Sequence, residues 1–137
     1  MTKHKLPFTY GTKIRFILTG DCTQTIRAGS KFSVGDEILI YSWSSKPYSK
    51  RSAWINRTDV VVTSVIPIIV SEVGIKFPLA YDDHIFSWTH EMINDLAKLD
   101  FIDPPTGLAL RDVLIDLLKL PKGEESDCQI IRWVFKE

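Results

Sequence analysis

The segment that most constrains the fold comes last. Residues 129–135 read Gln-Ile-Ile-Arg-Trp-Val-Phe, a run rich in β-formers. Two stretches of helical periodicity precede it. In the first, Met92, Ile93, Leu96, Ala97 and Leu99 recur at helical spacing behind Thr89, a residue suited to a helix N-cap. Asp103-Pro104-Pro105 stops that pattern, and residues 108–120 carry a second amphipathic stretch ended by Pro121-Lys122-Gly123. A strand that follows two helices must find hydrogen-bonding partners among strands laid down earlier. The expectation is an α+β domain, a small mixed β-barrel or sheet with flanking helices, which the C-terminus completes.

The earlier chain supplies those strands. Leu6-Pro7-Phe8 suits a short first one, and residues 23–27 alternate with β-branched side chains. Between them Ile14, Ile17 and Leu18 lie at helical spacing ahead of Gly20, placed as a helix C-terminal glycine. Ser33-Val34-Gly35-Asp36 reads as a turn and residues 37–43 as a strand buried on both faces. Residues 59–65 and 67–72 are strand material, and Pro67 between them predicts a bend or bulge. Gly74 marks a turn before a short run at 75–77. With no internal repeat and no Gly/Ser linker, residues 1–137 are read as a single domain, large enough to bury about two-thirds of its unfolded surface.

Several function classes are disfavoured. The longest apolar stretch, residues 60–70, is interrupted by Thr63, Ser64 and Pro67 and falls short of the ~20 residues of a spanning helix. The N-terminal residues have no apolar core of a secretory signal. A soluble, cytoplasmic protein with no membrane partner is expected. Cys22 and Cys128 make no disulfide framework, and His4, His84 and His90 are scattered. Neither Cys-x-x-Cys nor His-Glu-x-x-His occurs, so no metal site and no other cofactor is expected. Glycine-rich phosphate loops are absent too, which disfavours nucleotide-dependent phosphoryl transfer.

The net charge of zero hides an asymmetry. Residues 1–57 hold ten Lys and Arg against three acids, and residues 58–137 hold seven against fourteen. Residues 38–58 contain four basic residues and no acid, with Tyr41, Trp43, Tyr48 and Trp54 interleaved among Lys46, Lys50, Arg51 and Arg57. Cations neutralise phosphates and aromatic faces stack on unpaired bases, so this pattern suits single-stranded RNA. A solvated basic hairpin with inward-packed aromatics has the same composition.

Residues 17–27, Ile-Leu-Thr-Gly-Asp-Cys-Thr-Gln-Thr-Ile-Arg, resemble the opening signature of ASCH domains, a helix ending in Gly followed by G-x-K-x-x-T-x-R. Three further segments agree in order. Val34-Gly35-Asp36-Glu37-Ile38 is similar to the family's G-D-x-hydrophobic strand start, and Lys46-Pro47-Tyr48-Ser49-Lys50 to the basic loop of some members. Leu96-Ala97-Lys98-Leu99-Asp100-Phe101 resembles the L-A-x-x-D-G-F segment with its Gly missing. The resemblance covers nearly the whole chain. It implies a PUA-like fold, a small β-barrel with a cleft associated with RNA. It also implies, for one branch, hydrolysis of N(4)-acetylcytidine by a Lys, a Thr and a Glu.

Carried over residue by residue, the catalytic Thr falls on Thr25, the acidic position on Asp100, and the neighbouring Arg on Arg27. The catalytic Lys falls on Cys22, which cannot supply an amine beside a weak hydroxyl nucleophile. Cys22 is then either a structural thiol or itself a nucleophile favoured by Arg27 or Lys13. Thr25 is either a strand threonine bonded to backbone or a ligand-contacting hydroxyl. The Arg27 fork suits a phosphate or base edge, or pairs with Asp36 or Asp100. The first expectation is an RNA-binding module contacting nucleic acid through Arg27, Lys46, Tyr48, Lys50, Arg51 and Trp54. The alternative is an enzyme on RNA or modified nucleosides, an amidohydrolase or ribonuclease built on Thr25 and Asp100 with Lys46 or Lys50 replacing the lost amine. A protein-interaction role is the third.

Overall fold

A computed structural model of the protein describes residues 3–8, 16–17, 19–43 and 54–135, with side chains placed for all of these except 5–8, 41–43 and 54–59. Its elements in chain order are β1 (Lys3–Phe8), β2 (Gln24–Ala28), β3 (Glu37–Trp43), β4 (Trp54–Ser71), β5 (Gly74–Lys76), α1 (Pro78–Tyr81), β6 (Ile85–Ser87), α2 (Glu91–Leu99), α3 (Gly107–Leu118) and β7 (Glu125–Phe135). The protein is α+β. All seven strands belong to one sheet. β4 runs antiparallel to β3 along residues 54–61 and to β5 along 69–71, while β7 pairs with it from Val60 to Ser71. β7 also pairs with β2, and β1 joins β3 in parallel. The C-terminal strand therefore re-enters the sheet that holds β3, as a strand following helices must. No pairing joins β1 to β2 among the described residues.

Of residues 59–72, expected as two strands hinged at Pro67, 59–71 lie in one strand of 18 residues, Trp54–Ser71. At about 3.3 Å per residue a straight strand of that length would measure about 60 Å. A domain of 137 residues is only about 37 Å across, so β4 must curve. Pro67 sits in register opposite Gln129; the irregularity falls four residues earlier, where Val62 and Ser64 oppose Trp133 and Arg132 and leave Thr63 as the extra residue. One extra residue reverses which face the following side chains occupy. Val60 and Val62 accordingly join one hydrophobic cluster, with Ile17, Cys22, Phe32, Ile38, Ile40, Ile131 and Trp133. Ile68 and Val70, of the same parity, join the other, with Ile26, Ile130, Phe86, Trp88 and the inward faces of α2 and α3. β7 has no such irregularity, so Ile130 and Ile131 simply alternate between the two clusters.

The helices stop and start close to where the pattern places them. α2 is capped by His90, one residue beyond Thr89: its ring Nδ1 accepts from the Met92 N–H at 3.0 Å. Thr106 caps α3, its Oγ1 accepting from the Ala109 N–H at 3.2 Å. α3 begins on a glycine for a steric reason. A Cβ at Gly107 would lie 1.9 Å from the Trp88 carbonyl oxygen, and the Gly107 N–H donates to Asn94 Oδ1 at 2.7 Å. Asp95, Asp112 and Asp116 face solvent, as their helical phase predicts. α1 and β6 were not legible; the chain reverses at Glu72-Val73, and Gly74 opens β5.

Candidate functional site

Successive residues of β2 face opposite sides of the sheet. Thr25 and Arg27 stand opposite Ile131 and Gln129 of β7, on the side of the Trp133 cluster. Gln24 and Ile26 stand opposite Arg132 and Ile130, on the side of the helices. Thr25 is 3 % exposed, and Arg27 is half-buried. Asp100, 4 % exposed, caps the C-terminus of α2, and its N–H donates to the Leu96 carbonyl at 3.0 Å. The Cys22 thiol is 0 % exposed and points to the carbonyls of Gln24 (3.4 Å) and Leu99 (3.9 Å). That contact brings residues 22–25 alongside residues 98–101, so the segments carrying Cys22, Thr25 and Asp100 meet in space. All three side chains are sealed from solvent. Lys46, Tyr48, Lys50 and Arg51 lie outside the described residues. Trp54 opens β4 opposite Trp43, and its side chain is likewise outside the description.

Gly20 sets up this meeting. It sits at φ +88°, where a side chain is strained, and a Cβ there would lie 3.1 Å from the Phe135 ring. Behind it the Cys22 N–H returns to the Phe16 carbonyl at 2.9 Å, closing the turn that feeds β2.

On the helix side of β2 lies a pocket of about 450 Å³ that sequence reasoning did not find. Its floor is the cross-strand pair Gln24 and Arg132, and Asp21, Thr23, Lys98, Leu99 and Phe101 complete the lining. Arg132 Nε donates to Gln24 Oε1 at 2.9 Å. Because arginine can only donate, this bond fixes the amide orientation and turns Nε2 into the free end. Gln24 is 3 % exposed, and its Nε2 is buried with no acceptor among the described residues. A buried donor left unpaired costs about 1–3 kcal/mol.

The pocket's aromatic wall is held at an energetic cost. Phe101 has φ +55°, the left-handed region that bulky residues avoid. It occupies the position after the α2 C-cap that glycine usually fills, with the Phe101 N–H donating to the Lys98 carbonyl and the Ile102 N–H to the Ala97 carbonyl, both at 3.1 Å. The Phe101 ring packs 4.7 Å from Phe16 and lines the pocket. Strain of this kind, roughly 1–3 kcal/mol, concentrates at functional sites.

A chain of side chains crosses the opposite face. Gln129 of β7 bonds both backbone groups of Phe32, donating to its carbonyl and accepting from its N–H at 3.1 Å each. The Phe32 ring lies 4.4 Å from the His4 ring of β1, and His4 Nε2 donates to Asp36 Oδ2 at 2.7 Å. Asp36 Oδ2 also accepts from the Ser33 N–H at 2.9 Å.

Among the described residues no three His, Cys, Asp or Glu gather as metal ligands, and no helix is long and apolar enough to cross a membrane. Compared with known proteins, the chain matches no family model, no curated protein and no solved structure.

Proposed function

We propose that this chain is an RNA-binding module of ASCH and PUA-like type. The observation that carries the reading is the Gln24–Arg132 floor: a buried donor amide and a guanidinium beside an aromatic wall. Base carbonyls and phosphates are acceptors, and unpaired bases stack on aromatic rings. The basic, aromatic residues 38–58 add cations and rings on the same chain. The barrel reading draws support from the His4–Asp36 and Phe32–Gln129 links, which connect the edge strand β1, through the β2–β3 connection, to β7, the partner of β2. Binding is favoured over hydrolysis because the position of the hydrolases' lysine holds a fully buried thiol.

A fluorescence titration of short single-stranded RNA at low and physiological salt tests this. Affinity should fall with salt with a log–log slope near ~0.7 per phosphate contact. Arg132→Ala should weaken binding, and replacing Lys50 and Arg51 together by Ala should flatten the slope by about one to two units. Absence of binding at low salt would refute the module.

A further inference from the structure

We infer that the Gln24–Arg132 pocket seats one internal nucleotide of a single strand, with its diester phosphate on the cations, and that Asp21 acts as a filter against terminal phosphates; the inference rests on the RNA-binding reading above. Three observations lead there. The floor is rich in donors, since Gln24 Oε1 already accepts from Arg132 Nε and the remaining guanidinium N–H groups can only donate. Neither Arg132 nor Lys98 is ion-paired among the described residues. The wall beside them is apolar, with Leu99 52 % exposed and the strained Phe101 next to it.

Charge then selects the kind of phosphate. Arg132 and Lys98 bring two positive charges to the lining, and Asp21 brings one negative charge to it. The Asp21 carboxylate is held in place by the Thr19 hydroxyl, which donates to Oδ2 at 2.9 Å. The lining therefore carries a net single positive charge, matched by the single negative charge of an internal phosphodiester. A terminal phosphate carries about 1.5 to 2 negative charges and leaves the excess facing Asp21. A volume of about 450 Å³ accommodates one nucleotide rather than a run of them.

The test compares a uridine dinucleotide joined by one diester and bearing no terminal phosphate with uridine 5′-monophosphate, by NMR titration of the intact chain. The dinucleotide should bind more tightly, and Lys98→Gln should weaken both. Asp21→Asn keeps an acceptor for Thr19 and sits on the surface, so folding is safe. It should raise mononucleotide affinity about three- to tenfold, the range set by like-charge repulsion near a protein surface, and dinucleotide affinity by less than about twofold. Equal wild-type affinities, or an equal gain for both ligands in Asp21→Asn, overturn the filter while leaving RNA binding standing. Failure of the dinucleotide and of longer single strands alike overturns the RNA reading itself.

Discussion

Replacing Gln129 by Leu separates what a buried hydrogen bond contributes from what packing contributes. Leucine nearly matches the volume but can neither donate to the Phe32 carbonyl nor accept from its N–H. Both bonds are 3.1 Å long and buried, so the substitution orphans two backbone groups. At about 1–3 kcal/mol each, less roughly 1 kcal/mol for the more apolar side chain, the loss should be about 3 kcal/mol. With a urea slope of about 1–3 kcal/mol per molar, the unfolding midpoint should fall by roughly 1–3 M at unchanged slope. Gln129→Glu supplies the control. Its ionised carboxylate faces the Phe32 carbonyl without a proton, while its protonated form can donate again. Burial raises the folded-state pKa of that carboxyl, so the variant's stability is complete below the unfolded value of about 4.3 and is lost as pH rises through the folded one. Its deficit against the wild type should therefore shrink on acidification. A midpoint change under ~0.5 M for Gln129→Leu, or a deficit in Gln129→Glu that ignores pH, would show that the loop bearing Phe32 is not held by this amide.

Gly107→Ala puts a methyl 1.9 Å from the Trp88 carbonyl, and since backbone rather than a flexible side chain must give way, the cost should reach or exceed about 3 kcal/mol, read as a lowered Tm. Cys22→Lys buries an ammonium in a fully enclosed position, so it should destabilise by several kcal/mol and gain no activity; turnover of N(4)-acetylcytidine by that variant would contradict the packing described. Burial pushes the Cys128 thiol above its ordinary value of 9.0, against the Ser126 hydrogen bond. The folded state then holds the proton longer than the unfolded one, and stability should decline above about pH 9. Urea titrations of wild type and Cys128→Ala at neutral and high pH should differ in that decline.

Helical phase and the terminal β-former run were enough to predict α2, α3 and the return of β7 to the sheet, because each is a local pattern several turns or residues long. The continuity of β4 was hidden by Pro67, whose missing N–H argues for a break, whereas the ladder accommodates it opposite Gln129. Thr63, where the irregularity does fall, carries no glycine or proline to mark it. The resemblance singled out Thr25, Arg27 and Asp100, none of which lines the pocket on the helix side of β2. Gln24 and Arg132 escaped notice because 108 residues separate them and only the β2–β7 register brings them together. A lone arginine inside Ile130-Ile131-Arg132-Trp133 was the available signal. Phe101 gave another, standing at a helix end where glycine is usual.

The displaced phase at Thr63 also governs how this protein can be taken apart. β4 and β7 each furnish walls to both hydrophobic clusters, so neither cluster retains its partners if the other opens. Two cores built on shared strands behave as one cooperative unit. For recombination, a crossover between residues 60 and 70 would divide both cores between parents, because Ile26 of one lies before it and Ile131 and Trp133 of the other lie after it.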